Sequence, residues 1–155
     1  SWKAREYGFH TSMIESSMMI NDKMPAYCVE RAGQILNRFR KSLNGSRVLV
    51  LGVAYKQDID DYRESPALRV IEELEKTGAD VIYYDPWVRQ YRFKGQERVS
   101  EPELTAELIE SADLVMITAA HTNVDYELVQ RHAKAVFDTK NVMKNIENRE
   151  NIEVL

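Results

Sequence analysis

The stretch that most restricts the fold of this chain runs Arg47-Val-Leu-Val-Leu-Gly-Val-Ala-Tyr-Lys-Gln-Asp-Ile-Asp-Asp-Tyr-Arg-Glu-Ser-Pro-Ala67. Val48 to Leu51 is valine and leucine only, too short for a helical pattern and apolar on both faces, as a strand covered on both sides must be. Gly52 ends it. The polar loop beyond holds Lys56 and Arg63 among Asp58, Asp60, Asp61 and Glu64, and Ser65-Pro66 then offers an N-cap serine followed by proline at the first helical position. Strand, polar loop and helix in this order place Lys56 and Arg63 at the carboxyl end of a buried parallel strand, where open α/β sheets bind ligands. A G-x-G-x-x-G fingerprint would bring a pyrophosphate onto backbone amides, but this loop has only Gly52, so a bound phosphate needs side-chain cations. The competing reading of Lys56 and Arg63 is as solvated charges paired with the neighbouring carboxylates.

The rest of the chain alternates around this stretch. Residues 1 to about 43 are helical in pattern. Asn21-Asp-Lys-Met-Pro25 is expected to interrupt them, and the second helix then sets Cys28, Ala32, Ile35, Leu36, Phe39 and Leu43 on one apolar stripe. Such a stripe can pack on the domain that follows, on a further domain or on a second copy of itself, and its length makes self-association the expectation. Asn44-Gly45 ends the helical region. After strand 48–51, a helix from Pro66 to about Thr77 turns Ala67, Val70, Ile71 and Leu74 inward, with Gly78 as its stop. Val81 to Tyr84 is the second strand, and residues 87–100 read as an irregular excursion with a short strand at Arg98-Val99. A helix from Glu101-Pro102 to Ser111, a strand at Leu114–Thr118, a helix capped by Asp125 and a strand at Ala135–Phe137 complete the alternation. The tail from Val142 is expected to be peripheral, with Ile152 to Leu155 docking. This β-α repetition predicts an α/β fold: a Rossmann-like parallel sheet with helices on both faces, preceded by a helical segment, with residues 1–43 and 44–155 as the two parts.

With 155 residues the chain is long enough for one ordinary domain. A net charge of −4 argues against a nucleic-acid binder, and no apolar run approaches the roughly 20 residues of a spanning helix. Cys28 is the only cysteine, which excludes an intrachain disulfide and fits a cytoplasmic setting.

Lysine just past a buried strand can reach a sugar hydroxyl or a phosphate with a compact ammonium, which makes Lys56 the first candidate for ligand binding. Tyr55 adjoins it as a ligand contact or as core filler. Lys140, beyond the last core strand, leaves from the same sheet edge and can share the cleft. Asp138 and Asn141 read as turn formers, Asp85 as a turn former before Pro86, and His121 as a loop or capping residue. His10 and His132 have no metal-ligand spacing, and Cys28 reads as a small buried apolar group.

The block Leu51-Gly-Val-Ala-Tyr-Lys-Gln-Asp-Ile-Asp-Asp-Tyr-Arg-Glu-Ser-Pro-Ala67 resembles the opening of the C-terminal domain of the UDP-glucose/GDP-mannose dehydrogenase family. Ser1 to Phe9, Ile20-Asn21, Met24-Pro25, Tyr84-Asp-Pro86, Thr118 to His121 and Asp138-Thr-Lys-Asn141 resemble further family segments in the right order. The likeness is greatest to the branch that oxidises UDP-N-acetylhexosamines, such as UDP-N-acetylglucosamine 6-dehydrogenases. The resemblance implies that Tyr55 and Lys56 contact a UDP-sugar and that Arg63 reaches the pyrophosphate of NAD with its bidentate fork. Lys140 stands where the family usually has a substrate-binding arginine, so the charge is kept and the fork lost. The implied reaction is a four-electron oxidation of the sugar C6 alcohol to a carboxylate through a catalytic cysteine, using two NAD, in a homodimer joined by a long central helix.

Neither that cysteine motif nor the family's N-terminal NAD domain is in this sequence. The chain is therefore expected to be a fragment, inactive alone, of a longer NAD-dependent nucleotide-sugar 6-dehydrogenase. The alternative is a free-standing nucleotide-binding or regulatory module. The gene sequence upstream of Ser1 discriminates, because only the first reading requires a dinucleotide fingerprint and a cysteine motif there.

Overall fold

The computed structural model describes Lys3 and residues 11–155; His10 and most of the helical pattern expected for residues 1–10 lie outside them. The elements are α1 (Ser12–Arg38), β1 (Arg47–Leu51), α2 (Pro66–Lys76), β2 (Asp80–Tyr84), β3 (Gln90–Phe93), β4 (Gln96–Val99), α3 (Ala106–Ser111), β5 (Leu114–Ile117), α4 (Tyr126–His132), β6 (Val136–Asp138) and β7 (Ile152–Val154).

Strands β2-β1-β5-β6-β7 form one sheet in that order, and every neighbouring pair in it is parallel. Alternate residues of β1 explain the two layers that cover it. Val48 and Val50 face α1 and α2 in a core with Leu36, Leu74, Met116 and Phe137. Leu49 and Leu51 face α3 and α4 in a second core with Ile109, Val115, Ile117, Val129 and Met143. The expected α/β sheet with helices on both faces is thus the observed one. Ser65 caps α2 as read from the sequence, its hydroxyl accepting from the Ala67 N–H.

Several boundaries differ from the sequence reading, each for a local reason. Helix α1 does not break at Asn21–Pro25 but runs through Pro25, whose ring is buried. Packing of the following turns outweighs the roughly 3 kcal/mol that an interior proline costs. Those turns bury Cys28, Val29, Ala32, Ile35 and Leu36 in the core of the domain itself. The stripe read as a self-association face is therefore covered by its own chain, and Phe39, the cap residue past the last turn, is exposed. Residues 90–99 form a regular hairpin rather than an irregular excursion, and the short strand expected at Arg98-Val99 is the end of β4. The hairpin's two-residue turn, Lys94-Gly95, has positive φ at both positions, matching the twist of the strands. Helix α3 starts only at Ala106, because Thr105 caps it and the Glu101 and Pro102 carbonyls are taken by the Arg89 guanidinium. The tail is not peripheral throughout, since Met143 and Ile146 are buried in the second core; the docking expected of its end is seen in Ile152 to Val154, the edge strand beside β6, where Glu153 holds Arg31 and Arg38 of α1.

Among the described residues no helix is long and apolar enough to cross a membrane. The packing gives a direct test of how α1 is joined to the sheet. Leu36→Ala should cost about 2–5 kcal/mol of unfolding free energy in a urea titration, as truncation of a fully buried core leucine does. Met18→Ala, on the exposed part of the same helix, should stay within about 0.5 kcal/mol of the parent.

Candidate functional site

All five strands of the sheet point the same way, so the loops after β1, β2, β5 and β6 leave from one edge. The order β2-β1-β5 sets the loop after β1, which carries Tyr55, Lys56 and Arg63, between the other two. Gly52 makes the exit possible. Its φ is +86°, and a Cβ there would lie 2.5 Å from the Ala119 Cβ and 2.9 Å from its backbone nitrogen, so β1 leaves in contact with the chain after β5.

The loop is held from beneath by Asp85, which is completely buried at the end of β2. Its Oδ2 accepts from the backbone N–H groups of Val53 (2.8 Å) and Ala54 (3.2 Å) and lies 2.9 Å from His121 Nε2. Its Oδ1 accepts from the N–H groups of Trp87 (2.8 Å) and Val88 (3.0 Å). Burial pushes this carboxyl up, but the hydrogen bonds from His121, Val88, Val53 and Trp87 prevail and hold it below its ordinary value. His121 is also fully buried, and its Nδ1 accepts from the Asp58 N–H at 2.9 Å. Asp58 adopts φ 58°, in the left-handed region, and its carboxylate accepts from both the N–H and the hydroxyl of Thr122. The Thr122 N–H, first among its causes, sets the Asp58 carboxyl low. Reading Asp85 and His121 separately as turn and capping residues missed this cluster. The signal was topological: strands flanking β1 bring their C-terminal residues together beneath its loop.

Of the residues singled out in the sequence, Tyr55 is 52% exposed and donates its backbone N–H to the Asp61 carbonyl at 2.8 Å. Lys56 is exposed, with its ammonium 5.7 Å from the Tyr55 ring centroid and no ion pair to any described carboxylate. Arg63 is committed: its guanidinium spans both Asp61 oxygens at 3.0 Å each, the ion pair that the sequence left open. The hydrogen bond from Arg63 lowers the Asp61 carboxyl and raises the guanidinium in turn. Lys140 follows β6, two strands from β1 and therefore roughly 10 Å along the sheet edge. Its backbone N–H donates to Asp138 Oδ1, Asn141 turns the chain at φ 53°, and its side chain is solvent-exposed. Lys56 and Lys140 are thus two exposed cations at one sheet edge, while Arg63 is neutralised by Asp61. Cys28 is 7% exposed on α1; burial, first, pushes its thiol up, although the Lys140 charge acts the other way. It has none of the character of a nucleophile.

Residues 49–145 match the model of the UDP-glucose/GDP-mannose dehydrogenase family, UDP binding domain. The chain is 31% identical over 150 residues to a UDP-N-acetyl-D-mannosamine dehydrogenase of Methanocaldococcus jannaschii, covering 92% of this chain and 32% of that protein. It is 32% identical over 114 residues to the UDP-glucose 6-dehydrogenase AglM of Haloferax volcanii, covering 74% of this chain and 25% of the relative. The solved UDP-D-ManNAc dehydrogenase of Pyrococcus horikoshii superposes with a TM-score of 0.77 at 26% identity, over 94% of this chain and 34% of its own. The chain thus spans about a third or less of the length of these two relatives.

Because Asp85 is set low, the stability it confers is fully present above its unfolded value of 3.8 and is lost as pH falls through the folded value. Asp85→Asn should remove that acid-side dependence and cost about 1.5–3 kcal/mol at neutral pH, the worth of hydrogen bonds to a buried charge. Urea titrations across the acid range check both expectations.

Proposed function

Because this chain belongs to the UDP-glucose/GDP-mannose dehydrogenase family and carries its UDP-binding domain, we propose that it is the nucleotide-sugar-binding portion of an NAD-dependent UDP-sugar 6-dehydrogenase. The observation that carries the reading is the uncommitted ammonium of Lys56 on the loop after β1, with Lys140 on the same sheet edge and no glycine-rich loop to supply amides. In such a site the two cations supply the attraction for a diphosphate, and Tyr55 offers an exposed ring beside them. Residues 44–155 bind the UDP-sugar, and residues 1–43 join that domain to the rest of the parent.

NAD fits this chain only at its margin. Gly52 is the lone glycine of the β1 loop, which leaves Arg63 as the contact toward a pyrophosphate once its fork leaves Asp61. With Cys28 buried and its thiol raised, the fragment alone carries out no oxidation. The likeness to UDP-N-acetylmannosamine, UDP-N-acetylglucosamine and UDP-glucose dehydrogenases alike supports UDP as the recognised moiety, with an N-acetylhexosamine as the favoured sugar. The setting is cytoplasmic, in keeping with a single unpaired cysteine.

The homodimer forms through the N-terminal half of α1. There Met13, Ile14, Met18, Met19 and Ile20 are all more than half exposed, a concentration of apolar surface that the chain itself leaves uncovered. Sedimentation should register self-association that Met18→Lys with Met19→Lys abolishes, with no loss of fold by circular dichroism. A clean monomer at high concentration would count against this partner.

Calorimetric titration of UDP tests the binding reading directly. Lys56→Ala should weaken UDP roughly tenfold or more, since a charge-assisted contact contributes on the order of 1.5–3 kcal/mol. Arg63→Ala should leave UDP affinity unchanged. Equal affinity in the parent chain and Lys56→Ala would sink the assignment.

A further inference from the structure

The geometry assigns His121 as a positioning residue for the ligand loop. Its Nδ1 faces the Asp58 N–H at 2.9 Å, and a backbone amide can only donate, so Nδ1 carries no hydrogen. The neutral ring then bears its hydrogen on Nε2, directed at Asp85 Oδ2 at 2.9 Å. One imidazole thus spans a carboxylate fixed to β2 and an amide on the far side of the loop. Lys56 lies within the segment it closes, because Asp85 also grips Val53 and Ala54 at the loop's start while His121 holds Asp58 near its middle. Residues 53–58 are therefore pinned at both ends to the same buried anion, once directly and once through the ring.

The left-handed conformation of Asp58 gives the bond a task. That backbone is sparsely populated by residues with a Cβ, aspartate being among the more tolerant, and here its surroundings hold it. His121 on its amide and Thr122 on its carboxylate are the two groups that do so. His121 itself is fixed from behind, since the Tyr126 hydroxyl donates to its carbonyl at 2.8 Å. Without the ring's acceptor nitrogen, the Asp58 amide loses its partner beneath the loop, and the height of Lys56 above the sheet edge is no longer set.

The inference takes its ligand from the UDP-binding reading above, and its test separates the two. In the 155-residue chain labelled with ¹⁵N, the His121 ring should appear at neutral pH as the tautomer protonated on Nε2 alone; a ring protonated on Nδ1 overturns the assignment. Two variants divide its bonds: His121→Asn keeps an acceptor near the Nδ1 position, whereas His121→Gln keeps a donor near Nε2. Asparagine should preserve the slow hydrogen exchange of the Asp58 amide and hold UDP affinity within about threefold of the parent, even while lowering the Tm. Glutamine should free that amide to exchange and weaken UDP roughly tenfold, the equivalent of one lost hydrogen bond. A purely structural His121 would instead make affinity follow the Tm in both variants, and that result overturns the proposal. Should the parent chain itself not bind UDP, the functional reading fails, and the tautomer and the Asp58 exchange alone decide the role of His121.

Discussion

A buried carboxylate with five N–H groups around it is the constraint on which the carboxyl edge of this molecule's sheet depends. Asp85 has no access to water, and an anion so placed survives only if its lone pairs are filled. The donors come from three segments: Val53 and Ala54 after β1, Trp87 and Val88 after β2, and His121 after β5. Satisfying one charge therefore fixes three loops relative to each other. The loop bearing Tyr55 and Lys56 is a tight connection whose first residues have no freedom to move apart from the sheet.

That arrangement accounts for a division among the loop's charges. Asp58 and Asp61 look alike in sequence, yet Asp58 turns inward to bind Thr122, and Asp61 turns outward to hold Arg63. Both carboxylates are thereby spent on the protein. Lys56 is left over, exposed on a scaffold that is not, which is the condition under which a cation can be offered to an anionic ligand at little ordering cost.

Much of this was legible from the residues. The all-aliphatic run Val48–Leu51, the Ser65-Pro66 start of α2, and the alternation of short strands with amphipathic helices sufficed for the parallel sheet and for the edge at which Lys56 and Lys140 emerge. Local patterns failed where tertiary packing overrode them. Pro25 is a helix breaker by propensity, but the buried turns after it hold α1 together. The Lys94-Gly95 turn lacks the Asn or Asp that usually marks a two-residue hairpin loop. The Asp85–His121 contact joins residues 36 apart. Nothing local signals it, because it exists only once the strand order is known.

The continuity of α1 through Pro25 has a mechanical consequence. At 27 residues the helix is about 40 Å long, and its C-terminal half is welded to the domain by the Ala32, Ile35 and Leu36 packing and by the Glu153 clamp on Arg31 and Arg38. Ahead of the Asp22–Arg69 ion pair, its first turns expose Met13, Ile14, Met18, Met19 and Ile20 as a stiff arm. Whatever grips the arm holds the sheet edge at a fixed bearing, so a small tilt at one end sweeps the Lys56 loop through an arc, as a hand moves with its forearm, without any loop having to bend.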